Sequence, residues 1–197
     1  HSESPETFFV HIPAIKVVLP STPYDAKGLL LSAIRDPDPV IFFEPKKLYR
    51  AIKEEVPEKE YLIPIGKAKV VKEGSDLTLV TFGSSVKTCL ELANAISDVN
   101  IELIDLRTLS PIDDETIITS VKKTGKVLIV HEAPKTLGLA SEIIARINEK
   151  AFLSLQAPIE RVTAPDVIVP LSKYEHFYFP SKERIKNAIV KVMQNAV

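Results

Sequence analysis

The amino-acid sequence predicts an α/β fold with a mostly parallel sheet and helices on both of its faces. Short runs of β-branched and apolar residues alternate along the chain with longer segments that begin at helix-capping residues. Strand–helix–strand units of these lengths are crossover connections, which favour parallel pairing of their strands. Of the 197 residues, 45% are hydrophobic and 26% charged, which is the balance of a globular protein with a sizeable core.

The first part of the chain contains one such unit. A short β-branched run between two prolines predicts a strand, and Ser21 or Thr22 caps the helix that follows, with Pro23 near its first position. A second short apolar run lies between two further prolines. The predicted elements are a strand over 15–19, a helix from Pro23 to about Ile34, and a strand over 40–43.

Residues 45–66 have a different composition. Lysine, arginine and glutamate dominate this segment, and it contains three prolines. We interpret it as a charged, solvated linker between two domains.

The second part of the chain repeats the strand–helix alternation. Ser84 and Ser85 are placed to cap one helix, and the acidic residues at 113–115 favour the start of another. The predicted strands cover 77–82, 101–104, 126–130 and 159–163. The predicted helices cover 85–96, a short stretch from 113, 138–150 and 181–193.

Charge and cysteine content exclude several classes of function. The net charge is −1, so nothing global attracts nucleic acid or an anionic membrane. The single cysteine, Cys89, excludes an intramolecular disulfide and a multi-cysteine zinc site, and its place in an apolar helix predicts an inert thiol. No apolar run is long enough to span a bilayer, and no signal peptide is visible. Because the sequence opens on His1 rather than methionine, we expect a fragment or a processed chain.

No phosphate-binding, zinc-protease or serine-hydrolase motif is present, so candidate chemistry rests on isolated groups. Asp36 and Asp38 follow a helix end, where carbonyls and a carboxylate suit a hard cation, although a plain proline-rich turn explains them better. His131 and Glu132 follow a buried strand, at the edge where parallel sheets bind ligands, although a cap and turn is the simpler explanation. The aromatic run 177–179 is core or a docking patch.

Several segments together resemble the beta subunit of the thiamine-diphosphate-dependent 2-oxo acid dehydrogenases. The resemblance runs from His1 to the C-terminal helix and keeps the order and spacing of six motifs. These motifs are His1-Ser2-Glu3-Ser4-Pro5-Glu6, Pro20-Ser21-Thr22-Pro23-Tyr24-Asp25-Ala26-Lys27-Gly28-Leu29-Leu30, Phe42-Phe43-Glu44-Pro45-Lys46, Asp105-Leu106-Arg107-Thr108, Lys123-Thr124-Gly125-Lys126 and His131-Glu132-Ala133-Pro134.

The resemblance implies a domain plan and a small set of site residues. Residues 1–50 would end a transketolase-like pyrimidine-binding domain, 51–61 would be a linker, and 62–197 would form a transketolase C-terminal domain. His1 matches a histidine near the reactive end of thiamine diphosphate, where it would act in acyl transfer. The carbonyls of Ala33 and Asp36 and the side chain of Asp38 match a potassium site. The diphosphate and its magnesium would be held mainly by the alpha subunit and by residues upstream of His1.

The resemblance also implies a reaction and partners. The subunit would work in an α2β2 assembly with an alpha subunit and a second beta subunit, and it would pass its acyl group to a dihydrolipoyl acyltransferase. His-Ser-x-Ser-Pro-Glu and Phe-Phe-Glu-Pro resemble enzymes for branched-chain 2-oxo acids such as 3-methyl-2-oxobutanoate more than pyruvate dehydrogenases, which are the alternative. We expect a cytoplasmic protein in a prokaryote or a mitochondrial-matrix protein in a eukaryote. A second alternative is a non-catalytic module for dimerisation and docking.

Overall fold

The computed structural model describes residues 3–195. The strands are β1 (Lys16–Val18), β2 (Val40–Phe42), β3 (Lys69–Lys72), β4 (Leu77–Thr81), β5 (Ile101–Asp105), β6 (Thr108–Ser110), β7 (Val127–Pro134) and β8 (Glu160–Ala164). The helices are α1 (Glu6–Val10), α2 (Pro23–Arg35), α3 (Ser85–Ala95), α4 (Asp114–Thr124), α5 (Leu139–Ala151), α6 (Glu175–Tyr178) and α7 (Lys182–Gln194). None of the helices within this range has the length and apolarity needed to cross a membrane.

The strands form two sheets rather than one. The larger sheet has the order β3-β5-β4-β7-β8, in which β5, β4, β7 and β8 are mutually parallel and β3 is an antiparallel edge strand. This arrangement confirms the predicted α/β fold with a mostly parallel sheet. The smaller sheet has the order β2-β1-β6, with β1 parallel to β2 and antiparallel to β6.

The two faces of the larger sheet bury separate apolar cores. Side chains alternate along a strand, so Leu77 and Leu79 of β4 pack with α3 and α7, whereas Val80 packs with α4 and α5. Strand β7 shows the same division between Leu128 and Ile129. Burial on both faces explains why these strands appear in the sequence as continuous apolar runs.

One of the two predicted helix caps is confirmed, and the predicted acidic helix start at 113 also has a side-chain cap. The Thr22 hydroxyl accepts the backbone N–H of Asp25 at 3.1 Å, and the Asp113 carboxylate accepts that of Thr116 at 3.3 Å. The predicted cap at Ser84 is wrong, because its side chain forms no cap hydrogen bond. Its backbone is already helical, with φ −67° and ψ −23°, whereas a capping serine needs an extended backbone to aim its oxygen at the helix.

The charged linker lies along helix α2 instead of standing free. Its charged residues at 53–60 are mostly exposed, as expected. However, the Lys27 ammonium donates to the carbonyls of Glu58 and Lys59 at 3.0 and 3.1 Å, and the Tyr24 and Tyr61 rings stack 4.4 Å apart. The predicted domain boundaries at 50 and 62 stay a prediction.

Candidate functional site

The carboxyl ends of both sheets meet at one cleft of about 970 Å³. In the larger sheet, α3 links β4 to β5 and α4 links β5 to β7, and these helices cover opposite faces. The strand order therefore reverses between β4 and β7, and open α/β sheets bind ligands at such a switch point. In the smaller sheet, Leu19 and Phe43 directly follow β1 and β2 and line the same cleft.

A close approach between backbone and side chain shapes the floor of the cleft. Gly83 follows β4 with φ +61°, a backbone conformation that L side chains rarely adopt. A Cβ atom at Gly83 would lie 2.4 Å from the Leu19 side chain. Only glycine allows β4 to turn into α3 while Leu19 and Phe82 form an apolar floor.

Glu6, the first residue of α1, is the most deeply buried acid of the cleft wall. Only 3% of its surface is exposed. Apart from its own backbone N–H, no residue in the described part of the chain bonds to its carboxyl group. Burial raises the pKa of Glu6 to about 7, and the nearby charge of Glu132 acts in the same direction. The carboxyl group therefore changes its protonation near neutral pH.

The structure separates His131 from Glu132, which the sequence placed together. Successive side chains of a strand point in opposite directions, and only Glu132 lines the cleft, where its carboxylate lies 3.1 Å from the Lys47 ammonium. His131 is fully buried and stacks on Phe82, with ring centroids 5.8 Å apart. Neither of its ring nitrogens has a hydrogen-bond partner among residues 3–195.

Burial lowers the pKa of His131 to about 4, and the charge of Arg161 adds to this effect. The imidazole is therefore neutral at pH 7 and is no proton donor to a ligand in the cleft. A Cβ atom at Gly138 would approach the His131 ring to 2.7 Å, so the start of α5 is built closely against the ring. These contacts favour a structural role for His131.

A buried polar cluster joins the two parts of the chain. Arg107, between β5 and β6, places its guanidinium 3.1 Å from the Asp25 carboxylate of α2. The Ser21 hydroxyl donates to Asp105, and the backbone N–H of Arg107 donates to the same carboxylate at 3.1 Å. Burial raises the pKa of Asp105 to about 7. Sequence reasoning used these residues only as parts of motifs, and the sequence contains no signal that brings Asp25 and Arg107 together.

The predicted potassium site has an ammonium group beside it. The Lys16 ammonium of β1 lies 2.7 Å from the Asp36 carboxylate and 3.0 Å from that of Asp38. The hydrogen bond from Lys16 lowers the pKa of Asp36 below its usual value. The backbone N–H of Asp36 donates to the carbonyl of Ala33 at 3.3 Å, as the end of α2. The fold thus brings the three predicted residues together, and the potassium site stays a prediction.

Three further predictions concern His1, Cys89 and the aromatic run 177–179. His1 lies outside the described residues. Cys89 is fully buried, and burial raises the pKa of its thiol to about 12, as expected for an inert thiol. The aromatic run is split, with Tyr178 buried and Phe177 mostly exposed. Within residues 3–195, no group of three or more histidine, cysteine or acidic residues is arranged to hold a metal ion.

Comparison with known proteins identifies the fold and its relatives. Residues 66–185 match the family model described as transketolase, C-terminal domain, and residues 1–52 match transketolase, pyrimidine binding domain. A solved structure, a split-gene transketolase described as an inactive beta4 tetramer, superposes with a TM-score of 0.81. The superposition covers 97% of this chain and 61% of the transketolase chain. Because the two sequences are only 23% identical, the likeness supports the fold alone.

Curated proteins similar to this chain include beta subunits of two kinds of dehydrogenase. The pyruvate dehydrogenase E1 component subunit beta of Acholeplasma laidlawii is 55% identical over 98% of this chain and 59% of its own length. The mitochondrial 2-oxoisovalerate dehydrogenase subunit beta of Dictyostelium discoideum is 53% identical over 98% of this chain and 53% of its own. The chain thus spans a little more than half the length of these relatives, and it belongs to the transketolase family, whose pyrimidine-binding and C-terminal domain models it matches in that order.

Proposed function

We propose that the chain works as part of the beta subunit of a thiamine-diphosphate-dependent 2-oxo acid dehydrogenase. The observation that carries this proposal is identity of 55% and 53%, over 98% of the chain, to subunits of two such dehydrogenases. The enzyme would oxidatively decarboxylate a 2-oxo acid and transfer the acyl group to lipoyl groups of a dihydrolipoyl acyltransferase. An alpha subunit and a second beta subunit would complete the assembly.

The substrate is a branched-chain 2-oxo acid or pyruvate. The motifs His-Ser-x-Ser-Pro-Glu and Phe-Phe-Glu-Pro favour the branched-chain acids. The comparisons support both substrates equally, because relatives named for pyruvate and for 2-oxoisovalerate have nearly the same identity. A direct comparison of 3-methyl-2-oxobutanoate with pyruvate is therefore the informative assay.

The residues of this chain would supply only part of the catalytic machinery. We propose His1 as the group that handles a proton during acyl transfer. The described residues do not fit a magnesium diphosphate, because they contain no cluster of three metal-ligating side chains. We therefore assign magnesium and the diphosphate mainly to the alpha subunit and to residues upstream of His1. Ala33, Asp36 and Asp38 remain the proposed potassium ligands.

We propose a cellular compartment that depends on whether the host is a bacterium or a eukaryote. The relatives from Dictyostelium discoideum and Arabidopsis thaliana are named as mitochondrial, whereas others come from bacteria such as Bacillus subtilis. We propose the bacterial cytoplasm or the mitochondrial matrix accordingly.

The test uses the protein together with its alpha subunit and follows carbon dioxide release. We expect co-purification of the two chains and decarboxylation that needs thiamine diphosphate, with one of the two substrates preferred. His1→Ala should reduce acyl transfer to lipoyl groups strongly, while Cys89→Ala, a buried thiol away from the cleft, should not. A complex that forms but decarboxylates neither acid would refute the proposal.

A non-catalytic module for dimerisation and docking is the second candidate function. The chain spans 59% and 53% of the length of two relatives, so it would supply only part of their cofactor pocket, which favours the module for this chain alone. Calorimetry separates the two candidates, because the module should bind its partner chains without binding thiamine diphosphate. Saturable binding of thiamine diphosphate to the chain alone would exclude the module.

A further inference from the structure

The cleft combines an apolar floor with acidic walls. Leu19, Phe43, Phe82 and Phe179 supply apolar surface, and carboxyl groups stand around them. We propose that this cleft binds an organic cation, a primary ammonium or guanidinium group on a short apolar stem, with Glu6 as the deep counter-ion. Neither the family resemblance nor the relatives assign such a site.

Glu6 is the observation that points to a ligand. Only 3% of the residue is exposed, and it lines the cleft. None of the residues from 3 to 195 other than Glu6 itself donates to its carboxyl group. Its own backbone N–H is a single donor for a carboxyl group that can accept several hydrogen bonds, and a ligand that donates further N–H bonds with a positive charge would stabilise it. An anionic ligand would instead meet a second negative charge.

At the rim of the cleft, the ammonium group of Lys47 is bound in the way we propose for the ligand. Its ammonium group lies 3.1 Å from Glu132 and 4.6 Å from the centroid of the Phe179 ring. A carboxylate and an aromatic face thus already hold one ammonium ion here. Glu6 and the apolar floor offer the same pair of partners deeper in the cleft.

The balance of charge around Glu6 also favours a cation. The other charged groups and histidine that line the cleft with Glu6 are Glu3 before α1, Glu44, Lys46 and Lys47 after β2, Glu132 of β7, and Glu175 and His176 of α6. Of these, Glu132 acts on the Glu6 carboxyl group through its charge. Four carboxylates therefore stand against two lysines and a histidine. One of the two lysines is already paired with Glu132. The remaining charge is negative, which attracts a cation and repels an anion.

Titration of the chain with n-butylammonium chloride by calorimetry tests the proposal. Binding should favour the ionised form of Glu6, whose pKa is about 7. At pH 7 it should therefore release about half a proton, seen by repeating the titration in buffers with different ionisation heats. Butyrate and 1-butanol carry the same apolar stem without the positive charge, and they should bind at least about tenfold more weakly.

Substitutions test whether Glu6 is the residue that binds the cation. Glu6→Gln keeps the shape and removes a buried charge, so it should fold, lose about tenfold in affinity and release no proton. Glu132→Gln should weaken binding less and keep the proton release. Glu149→Gln, on the exposed side of α5, is the matched control and should change neither quantity. N-acetyl-lysine amide in place of butylammonium shows whether a polypeptide side chain or a free amine fits better.

Three results would overturn the proposal. Butylammonium that does not bind at all, butyrate that binds as well, or equal affinities for the wild-type chain and Glu6→Gln would each exclude a cation site anchored on Glu6. Binding of either amine that depends on Glu6 would support it.

Discussion

At the residue scale, three buried carboxyl groups have different partners and therefore different consequences. Asp25 faces the Arg107 guanidinium, Asp105 accepts hydrogen bonds from Ser21 and the Arg107 backbone, and Glu6 has only its own backbone N–H. Desolvation favours the protonated form, and only a nearby positive charge or several donors overcome it. Burial consequently raises the pKa values of Asp105 and Glu6 to about 7.

We expect the buried acids Asp105 and Glu6 to make stability fall as pH rises from about 4 to about 7, and the lowered pKa of His131 to oppose part of this fall between about 4 and 6.5. The folded pKa of Asp105 lies above its unfolded value of about 4, so the folded state binds more protons in this window. Glu6 contributes in the same direction. Asp105→Asn should flatten part of this slope and raise stability at pH 8 by about 1 kcal/mol in urea unfolding. The exposed Asp98→Asn is the control, and equal slopes for both variants would contradict the assignment.

We expect Lys16 to weaken any response of the chain to potassium. Its ammonium group lies between Asp36 and Asp38, where it competes with the proposed ion. In wild type, potassium chloride should raise Tm little more than sodium chloride at equal ionic strength. Lys16→Met frees both carboxylates, so the potassium-specific rise should become larger. If potassium and sodium act alike on both proteins, Ala33, Asp36 and Asp38 are not a potassium site in this chain.

At the element scale, the elements that could be predicted are those specified by residues close together in the sequence. The buried parallel strands, the cap at Thr22 and the helix start at 113–115 follow from apolar runs, a short polar side chain and acidic residues, respectively. Sequence reasoning missed α1, α6, β3 and β6, which are short, lie at edges or depend on a distant strand for pairing. The cleft could be predicted in part, because Glu132 follows a parallel strand. Glu6 could not, because its burial depends on tertiary contacts.

The linker gives a test of how one side chain orders a segment. The Lys27 ammonium donates to successive carbonyls of the segment 57–59, and Gly28 has no room for a Cβ atom against Ile63 and Tyr61. Lys27→Met removes these bonds, so the linker should open more often. A Glu-specific protease should then cleave within 54–60 about tenfold faster. Lys186→Met, exposed on α7, should cleave at the wild-type rate, and an unchanged rate for Lys27→Met would show that the tyrosine stack suffices.

At the scale of the whole molecule, the two parts of the chain share structure instead of merely touching. Strand β6 follows β5 of the larger sheet yet completes the smaller sheet by pairing Thr108 with Val18. The backbone N–H of Leu19 donates to the carbonyl of Arg107 at 2.8 Å. Such continuity predicts that both sheets unfold in a single transition.

Arg107 is the residue on which this coupling depends most. Its guanidinium is 3.1 Å from Asp25 and also donates to the carbonyls of Lys67 and Ala68 at 3.0 and 3.2 Å, although its backbone lies in the left-handed region at φ +54°. This left-handed conformation is costly for arginine, so the side-chain bonds must offset it. Arg107→Met leaves the Asp25 carboxylate buried without its cation, which should cost about 3–5 kcal/mol.

Calorimetry should show this loss as one transition lowered by about 10 °C, since the β1–β6 pairing still joins the sheets. Adding Asp25→Asn to Arg107→Met removes the unpaired charge and should recover part of the loss. Arg161→Met, whose guanidinium donates to Ser141 and a loop carbonyl without a buried acid, is the matched control and should cost less. Two separate transitions in wild type would mean that the sheets are independent, and a loss below about 1 kcal/mol in Arg107→Met would mean that backbone pairing alone couples them.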